Sequence, residues 1–172
     1  MVFCAGKNGE TPVKKKPCIG REYMIGKLDM KKVIKLTLPS SLGCEKVAIA
    51  SAATVGKRMG LSQDRIEDLK TAIGEACINA IEHGNKGKRD AQIVVVFKEG
   101  REKLEVCVKD HGPGVDIKSI EIPSIDKKIK PGSKQRGWGV FLIKNLTDEV
   151  EFCSSKTGGE VKMIIRIKRD DE

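Results

Sequence analysis

Apolar positions along the chain repeat with two periods. Val33-Ile34-Lys35-Leu36-Thr37-Leu38 alternates and is rich in β-branched residues, which predicts a first strand that Pro39-Ser40-Ser41 stops. A serine there is suited to cap a helix running from about Leu42 to Met59 and ending at Gly60. Ser62 is placed to cap a second helix, about 63–83, in which Ile66, Leu69, Ile73, Ala76 and Ala80 recur three or four residues apart as one apolar stripe. Ile78 and Ile81 lie off that stripe, so this helix is expected to be covered on more than one side. Gly84-Asn85-Lys86-Gly87 ends it. Residues 93–97 and 104–108 read as strands, joined by a tight hairpin at Glu99-Gly100-Arg101-Glu102. A third helix is predicted over 139–146. Two closing strands, 150–153 and 161–167, connect through Thr157-Gly158-Gly159.

The resulting order, β-α-α-β-β-loop-α-β-β, has no regular βαβ alternation. It predicts the α+β class: a two-layer sandwich with a mainly antiparallel sheet and helices on one face. Residues 1–32 show neither period. With Gly6, Gly9, Pro12, Lys14-Lys15-Lys16, Pro17 and Gly20 they read as a flexible basic arm, leaving 33–172 as the folded domain. That domain is long enough to bury a core without metal or disulfide support. The segment 113–136, with Pro113, Pro123, Pro131 and Gly132, is too long for a plain connection and reads as a mobile lid.

Charge changes the picture less than its total implies. The net charge is +9, yet residues 1–35 hold nine Lys/Arg against three Asp/Glu, so most of the excess belongs to the arm. One Trp, one Tyr and four Phe offer little surface for stacking bases, and direct nucleic-acid binding is not expected. The six cysteines contain no C-x-x-C pair, which argues against zinc; they read as small apolar residues in a reducing compartment. No run approaches the roughly 18 apolar residues of a membrane helix. Lys7, Asn8 and Glu10 interrupt any signal-like stretch, so the expected location is cytoplasmic, away from membranes.

Three short motifs carry candidate chemistry. Glu75 and Asn79 are i,i+4 on the second helix and point the same way, away from the middle of its apolar stripe. An amide oxygen at Asn79 suits a hard cation such as Mg²⁺, and Glu75 could act through water or as a general base. Asp110 ends a strand and precedes Gly112-Pro113-Gly114; there it can accept a hydrogen bond from an amino group while the glycines admit a ligand close to the backbone. Arg136-Gly137-Trp138-Gly139 opens the third helix and offers free N–H groups suited to phosphate. Six Lys/Arg against three Asp/Glu in 113–136 add positive charge nearby. His83 has a plain alternative as a helix C-terminal residue, and His111 as a solvated turn residue. No P-loop is present.

Taken in order, these motifs resemble the ATP-site boxes of the GHKL ATPase superfamily. The run from Leu61 to Arg166 is most similar to its anti-sigma-factor serine/threonine kinases. The matching text is Asp68 to Gly84, Asp110 to Asp116, Arg136-Gly137-Trp138-Gly139 with the apolar residues after it, and Leu146 to Val150. With the first strand and helix, the resemblance covers about 33–168. It implies a Bergerat-type fold binding ATP and Mg²⁺. Glu75 would be the base that activates an acceptor hydroxyl, Asn79 the Mg²⁺ ligand and Asp110 the adenine-reading acid. Gly112, Gly114, Arg136, Gly137 and Gly139 would serve phosphate and lid contacts. The implied partners are a sigma factor and a small antagonist (anti-anti-sigma) protein whose serine or threonine is phosphorylated; self-association is left open. The sequence departs from the family at Trp138, where an aliphatic residue is more usual, and at Gly158-Gly159-Glu160, which lacks a following Thr. Two other readings stand beside the kinase. One is an ATP-gated binding module without transfer. The other, a histidine-kinase catalytic domain, lacks a preceding helix with an acceptor His.

Overall fold

The computed structural model describes residues 2–4, 32–86, 88, 90–112, 137–155 and 158–167. Six strands form one antiparallel sheet: β1 (Val2–Cys4), β2 (Lys32–Pro39), β3 (Gln92–Glu99), β4 (Lys103–Lys109), β5 (Glu149–Ser155) and β6 (Gly158–Arg166). Their spatial order is β1-β5-β6-β4-β3-β2, so β1 and β2 hold opposite edges. Among the described residues three α-helices complete the fold: α1 (Glu45–Arg58), α2 (Gln63–Asn79) and α3 (Trp138–Leu146).

Alternation decides which face of the sheet is covered. Ile93, Val95 and Phe97 of β3, Leu104, Val106 and Val108 of β4, Val150 and Phe152 of β5, and Met163 and Ile165 of β6 are buried in one cluster with the helices. Ala48, Ala52 and Val55 of α1 and Ile66, Leu69, Ala72, Ile73 and Ala76 of α2 close that cluster from above. The two helices approach closely where side chains are absent: a Cβ on Gly56 would stand 3.1 Å from Ile66, and one on Gly74 3.2 Å from Ile49. The other face of β4 carries Glu105, buried against the ammonium groups of Lys98 at 2.7 Å and Lys162 at 3.5 Å. Burial pushes the Glu105 carboxyl up, but these two lysines outweigh it and carry it below the ordinary value.

Ser62 caps α2, accepting from the Arg65 N–H. The expected serine cap of α1 is not formed. Residues 42–44 turn first, Cys44 takes the cap position with its Sγ on Ser41 Oγ at 3.2 Å rather than on a helix N–H, and Glu45 accepts from the Gly43 N–H at 2.6 Å instead. Arg65 pairs with Asp148, whose Oδ2 also accepts the Arg166 N–H at 2.8 Å. This ties the start of α2 to the α3–β5 turn and to β6, and gives Leu146-Thr147-Asp148 a structural role. The arm contributes β1, which pairs Val2–Cys4 with Glu151–Cys153; three residues are too short to show alternation in sequence.

Candidate functional site

The site is built along α2 and its continuation. Glu75 and Asn79 are half-buried on one side of the helix. Gly139, in the first turn of α3, lies directly against them. A Cβ there would stand 2.7 Å from Glu75 Oε2, 3.2 Å from Asn79 Nδ2 and 3.4 Å from Asn79 Oδ1. Neither side chain has a hydrogen-bond partner among the described residues. Gly137 starts α3 at φ +98°, a left-handed conformation open to glycine, and its carbonyl accepts the Phe141 N–H at 3.0 Å. The first N–H groups of α3 have no acceptor inside the helix. The helix start thus comes within reach of the carboxylate and the amide together.

Beyond Asn79 the helix widens into a π-helical turn, Ala80–Gly84, where the Asn85 N–H donates to the Ala80 carbonyl at 2.8 Å. Such turns recur at functional sites because they re-aim the residues after them. Here the turn lays Gly84 against Asp110. A Cβ on Gly84 would fall 2.4 Å from the Asp110 carboxylate carbon, and one on Gly112 1.5 Å from the Gly84 carbonyl oxygen. Gly158 and Gly159 of β6 close the other side: added Cβ atoms would meet the Asp110 carbonyl oxygen at 2.1 Å and Asp110 Oδ2 at 2.6 Å. Four glycines from three parts of the chain therefore close round Asp110, Gly84 and Gly159 against its carboxylate, Gly158 against its carbonyl and Gly112 against Gly84.

Hydrogen bonds fix that carboxylate. Asp110 Oδ1 accepts the N–H of Gly112 at 2.9 Å and of Gly159 at 3.0 Å, and the Asp110 N–H donates to the Gly159 carbonyl at 3.0 Å. Both backbone donors converge on Oδ1, so Oδ2 is the oxygen left to accept an amino group from a ligand. Asn85 lies beneath the loop at 0 % exposure and accepts the His111 N–H at 3.0 Å.

The structure thus brings Glu75, Asn79 and Gly139 together at one end, and Asp110 and Gly112 at the other. Gly114 and Arg136 lie outside the described residues, as does the proposed lid 113–136. His83 and His111 are exposed. Gly84, Asn85, Gly158 and Gly159 complete the Asp110 end without being candidate site residues in the sequence, where Gly84 and Asn85 read as a helix stop and Gly158-Gly159 as a connection between strands. The departure from the family pattern at Gly158-Gly159-Glu160 was the available pointer to these two glycines. Cys77 and Cys107 are buried, and burial pushes both thiols up to about 12. Among the described residues no group of three or more His, Cys, Asp or Glu could hold a metal. No helix among them is long and apolar enough to cross a membrane.

Residues 38–165 match the histidine kinase-like ATPase domain family. The serine-protein kinase RsbW of Bacillus pumilus is 31% identical over 143 residues, covering 80% of this chain and 88% of that protein. The serine-protein kinase RsbW of Listeria innocua is 33% identical over 125 residues, covering 69% and 77%. Among solved structures, the chain with the RsbU and RsbW domains of a Mycobacterium tuberculosis protein matches in fold, with a TM-score of 0.59 at 20% identity. That match covers 80% of this chain, which spans 33% of the tuberculosis chain.

Sheet, helices and matched span together define a GHKL-type ATPase domain. The chain belongs to the histidine kinase-like ATPase domain family and, within it, to the anti-sigma serine-protein kinases of the RsbW type.

Proposed function

We propose that this protein is an ATP-dependent serine/threonine kinase that phosphorylates a small antagonist protein and holds a sigma factor in alternation with it. The observation that carries the reading is the placement, at two points along α2 and its continuation, of a glycine-caged carboxylate and of a carboxylate–amide pair that has no partner among the described residues. Glu75 and Gly84 are nine residues apart, roughly 13 Å along a helix. A nucleotide laid along α2 would place its base at Asp110 and its terminal phosphate beside Glu75.

The donor set fits Mg²⁺. The Asn79 amide oxygen is a hard donor of the kind this ion takes, and phosphate oxygens and water would complete its shell. Mg²⁺ would supply charge neutralisation across the phosphates. The chain's own residues do the rest. Asp110 Oδ2 accepts the adenine amino group, the N–H groups opening α3 face the phosphates, and Glu75 takes the proton of the incoming hydroxyl. As the new oxygen–phosphorus bond forms, the bond to the β-phosphate oxygen breaks and ADP leaves. The γ-phosphoryl ends on the acceptor serine or threonine.

Glu75→Gln is expected to keep ATP binding by calorimetry and to lose phosphotransfer by roughly 10²-fold or more, the scale of a positioned base. Asn79→Ala should weaken Mg·ATP binding as well. A Glu75→Gln protein that transfers phosphate at the normal rate would remove Glu75 from this role. Wild type that binds ATP but transfers none to any candidate antagonist would favour an ATP-gated binding module.

A further inference from the structure

We infer that Asn85 is the positioning residue for base recognition: its side chain anchors the loop that aims Asp110. The inference rests on the reading of Asp110 as the adenine acceptor. Asn85 follows the π-helical turn and is fully buried at 0 % exposure, a rare place for an amide unless every polar atom is used. Here every one is. Nδ2 donates to Ser40 Oγ at 3.0 Å and to the Gln92 carbonyl at 3.0 Å, and Oδ1 accepts the His111 N–H at 3.0 Å. The orientation of the amide is determined by its partners, since a backbone N–H can only donate and a carbonyl can only accept.

These partners come from three places. Ser40 follows β2, and Gln92 opens β3, where it pairs with Pro39. His111 follows Asp110. One end of the amide therefore grips the rigid β2–β3 edge, and the other grips the backbone immediately after the base-reading carboxylate. The His111 ring is exposed and only its Nδ1 comes within 3.4 Å of the Gln92 carbonyl, so the buried grip on this loop is through the main chain. From the opposite side the loop is held by β6, through the two bonds between Asp110 and Gly159. Without Asn85 the loop would keep on the β2–β3 side only the exposed and longer contact of His111 Nδ1 with the Gln92 carbonyl, at 3.4 Å, and would be free to tilt about the β6 bonds, so that Oδ2 would lose its fixed aim. The backbone bond from Asn85 N–H to Ala80 O keeps the side chain at this depth. The π turn, the buried amide and the Asp110 loop thus form one device.

A purely structural amide and a positioning amide differ in what their loss does to selectivity. Inosine triphosphate carries a carbonyl where adenine carries its amino group, so the ratio of ATP to inosine triphosphate affinity reads the Asp110 contact directly. Calorimetry on the full chain with Mg²⁺ should show wild type preferring ATP by roughly 10- to 100-fold, the range of a hydrogen bond to a charged group. Asn85→Ala should bring that preference down to within about threefold, mainly by weakening ATP. In an Asp110→Asn background the same substitution should cost no further ATP affinity, because both changes act on one contact.

Asn85→Asp is the conservative variant. It retains the oxygen facing His111, and a buried carboxyl takes up a proton and can donate again to Gln92. It should keep the ATP preference of wild type while losing thermal stability. Should Asn85→Ala fail to fold, Asn85→Ser makes the same comparison, its hydroxyl leaving room for a water among the three polar partners. A wild-type preference that survives unchanged in Asn85→Ala or Asn85→Ser overturns the inference and leaves the reading of Asp110 standing. Wild type that does not distinguish the two nucleotides overturns both.

Discussion

The two ends of the α2 site are built differently. At the Asp110 end, almost everything touching the carboxylate is main chain: Gly84, Gly112, Gly158 and Gly159 stand so close that no Cβ fits, and two N–H groups hold Oδ1. At the Glu75 end, one glycine approaches the far ends of two side chains that have no partner among the described residues. The first end is rigid before any ligand arrives; the second can still adjust. A site that recognises one fixed group and performs chemistry on another gains from this division. Recognition favours preorganisation, and a carboxylate that must receive a proton needs a lone pair that the protein itself does not occupy.

Substituting Gly112 tests the rigid end most severely. Its Cβ would lie 1.5 Å from the Gly84 carbonyl oxygen, and backbone cannot rotate away as a side chain would. Gly112→Ala should destabilise the fold by about 3 kcal/mol, the upper end of overpacking costs, and abolish measurable ATP binding. Gly43→Ala is the control. It has φ +98° but open space around it, so it should cost only about 1 kcal/mol of backbone strain in urea unfolding and leave ATP affinity alone. Equal costs at the two positions would mean that the Asp110 end yields more than its geometry indicates.

Asp110→Asn should have the next largest effect and separates the two oxygens. An asparagine Oδ1 can still accept from Gly112 and Gly159, so the loop should hold. Its Nδ2 would meet the ligand's amino group donor to donor. ATP affinity should fall by about 1–3 kcal/mol with little change in the unfolding midpoint. A fall in stability as large as the loss of binding would show that the carboxylate serves the fold more than the ligand.

The same division governs what could be read in the sequence. Period-two and helical apolar patterns predicted β2 to β6 and the three helices, because each buries one face over enough residues to repeat. Glu75 and Asn79 were readable because both lie on one helix, four residues apart, and Asp110 because a strand and a glycine turn frame it. The cage was not. Gly159 meets Asp110 across 49 residues, and nothing local distinguishes it from any hairpin glycine. Asn85 reads as a helix-stop residue, since Asn commonly ends helices; that it is fully buried follows only from a π turn that no periodicity announces. The cap of α1 failed for a related reason. Ser41 has the right chemistry, but the chain turns through 42–44 before the helix begins, which places Cys44 at the cap.

Gly139→Ala should have only a small effect on ATP binding and bears most directly on the adjustable end. Its Cβ would approach Glu75 Oε2 at 2.7 Å and the Asn79 amide at 3.2 Å, both the ends of side chains that can swing aside. Alanine is also the better helix former, by about 1 kcal/mol, which offsets part of the crowding. Stability should therefore change by less than about 1 kcal/mol, and ATP affinity by less than about threefold. Phosphotransfer should respond more strongly, because the carboxylate can relieve the contact only by leaving its position, and a displacement of about 1 Å can cost on the order of 10²-fold. Single-turnover transfer to an antagonist protein, measured beside calorimetric ATP affinity, checks the split. Loss of both in parallel would mean that the Glu75 end is as rigid as the Asp110 end. Loss of neither would mean that Glu75 has room to act from more than one position.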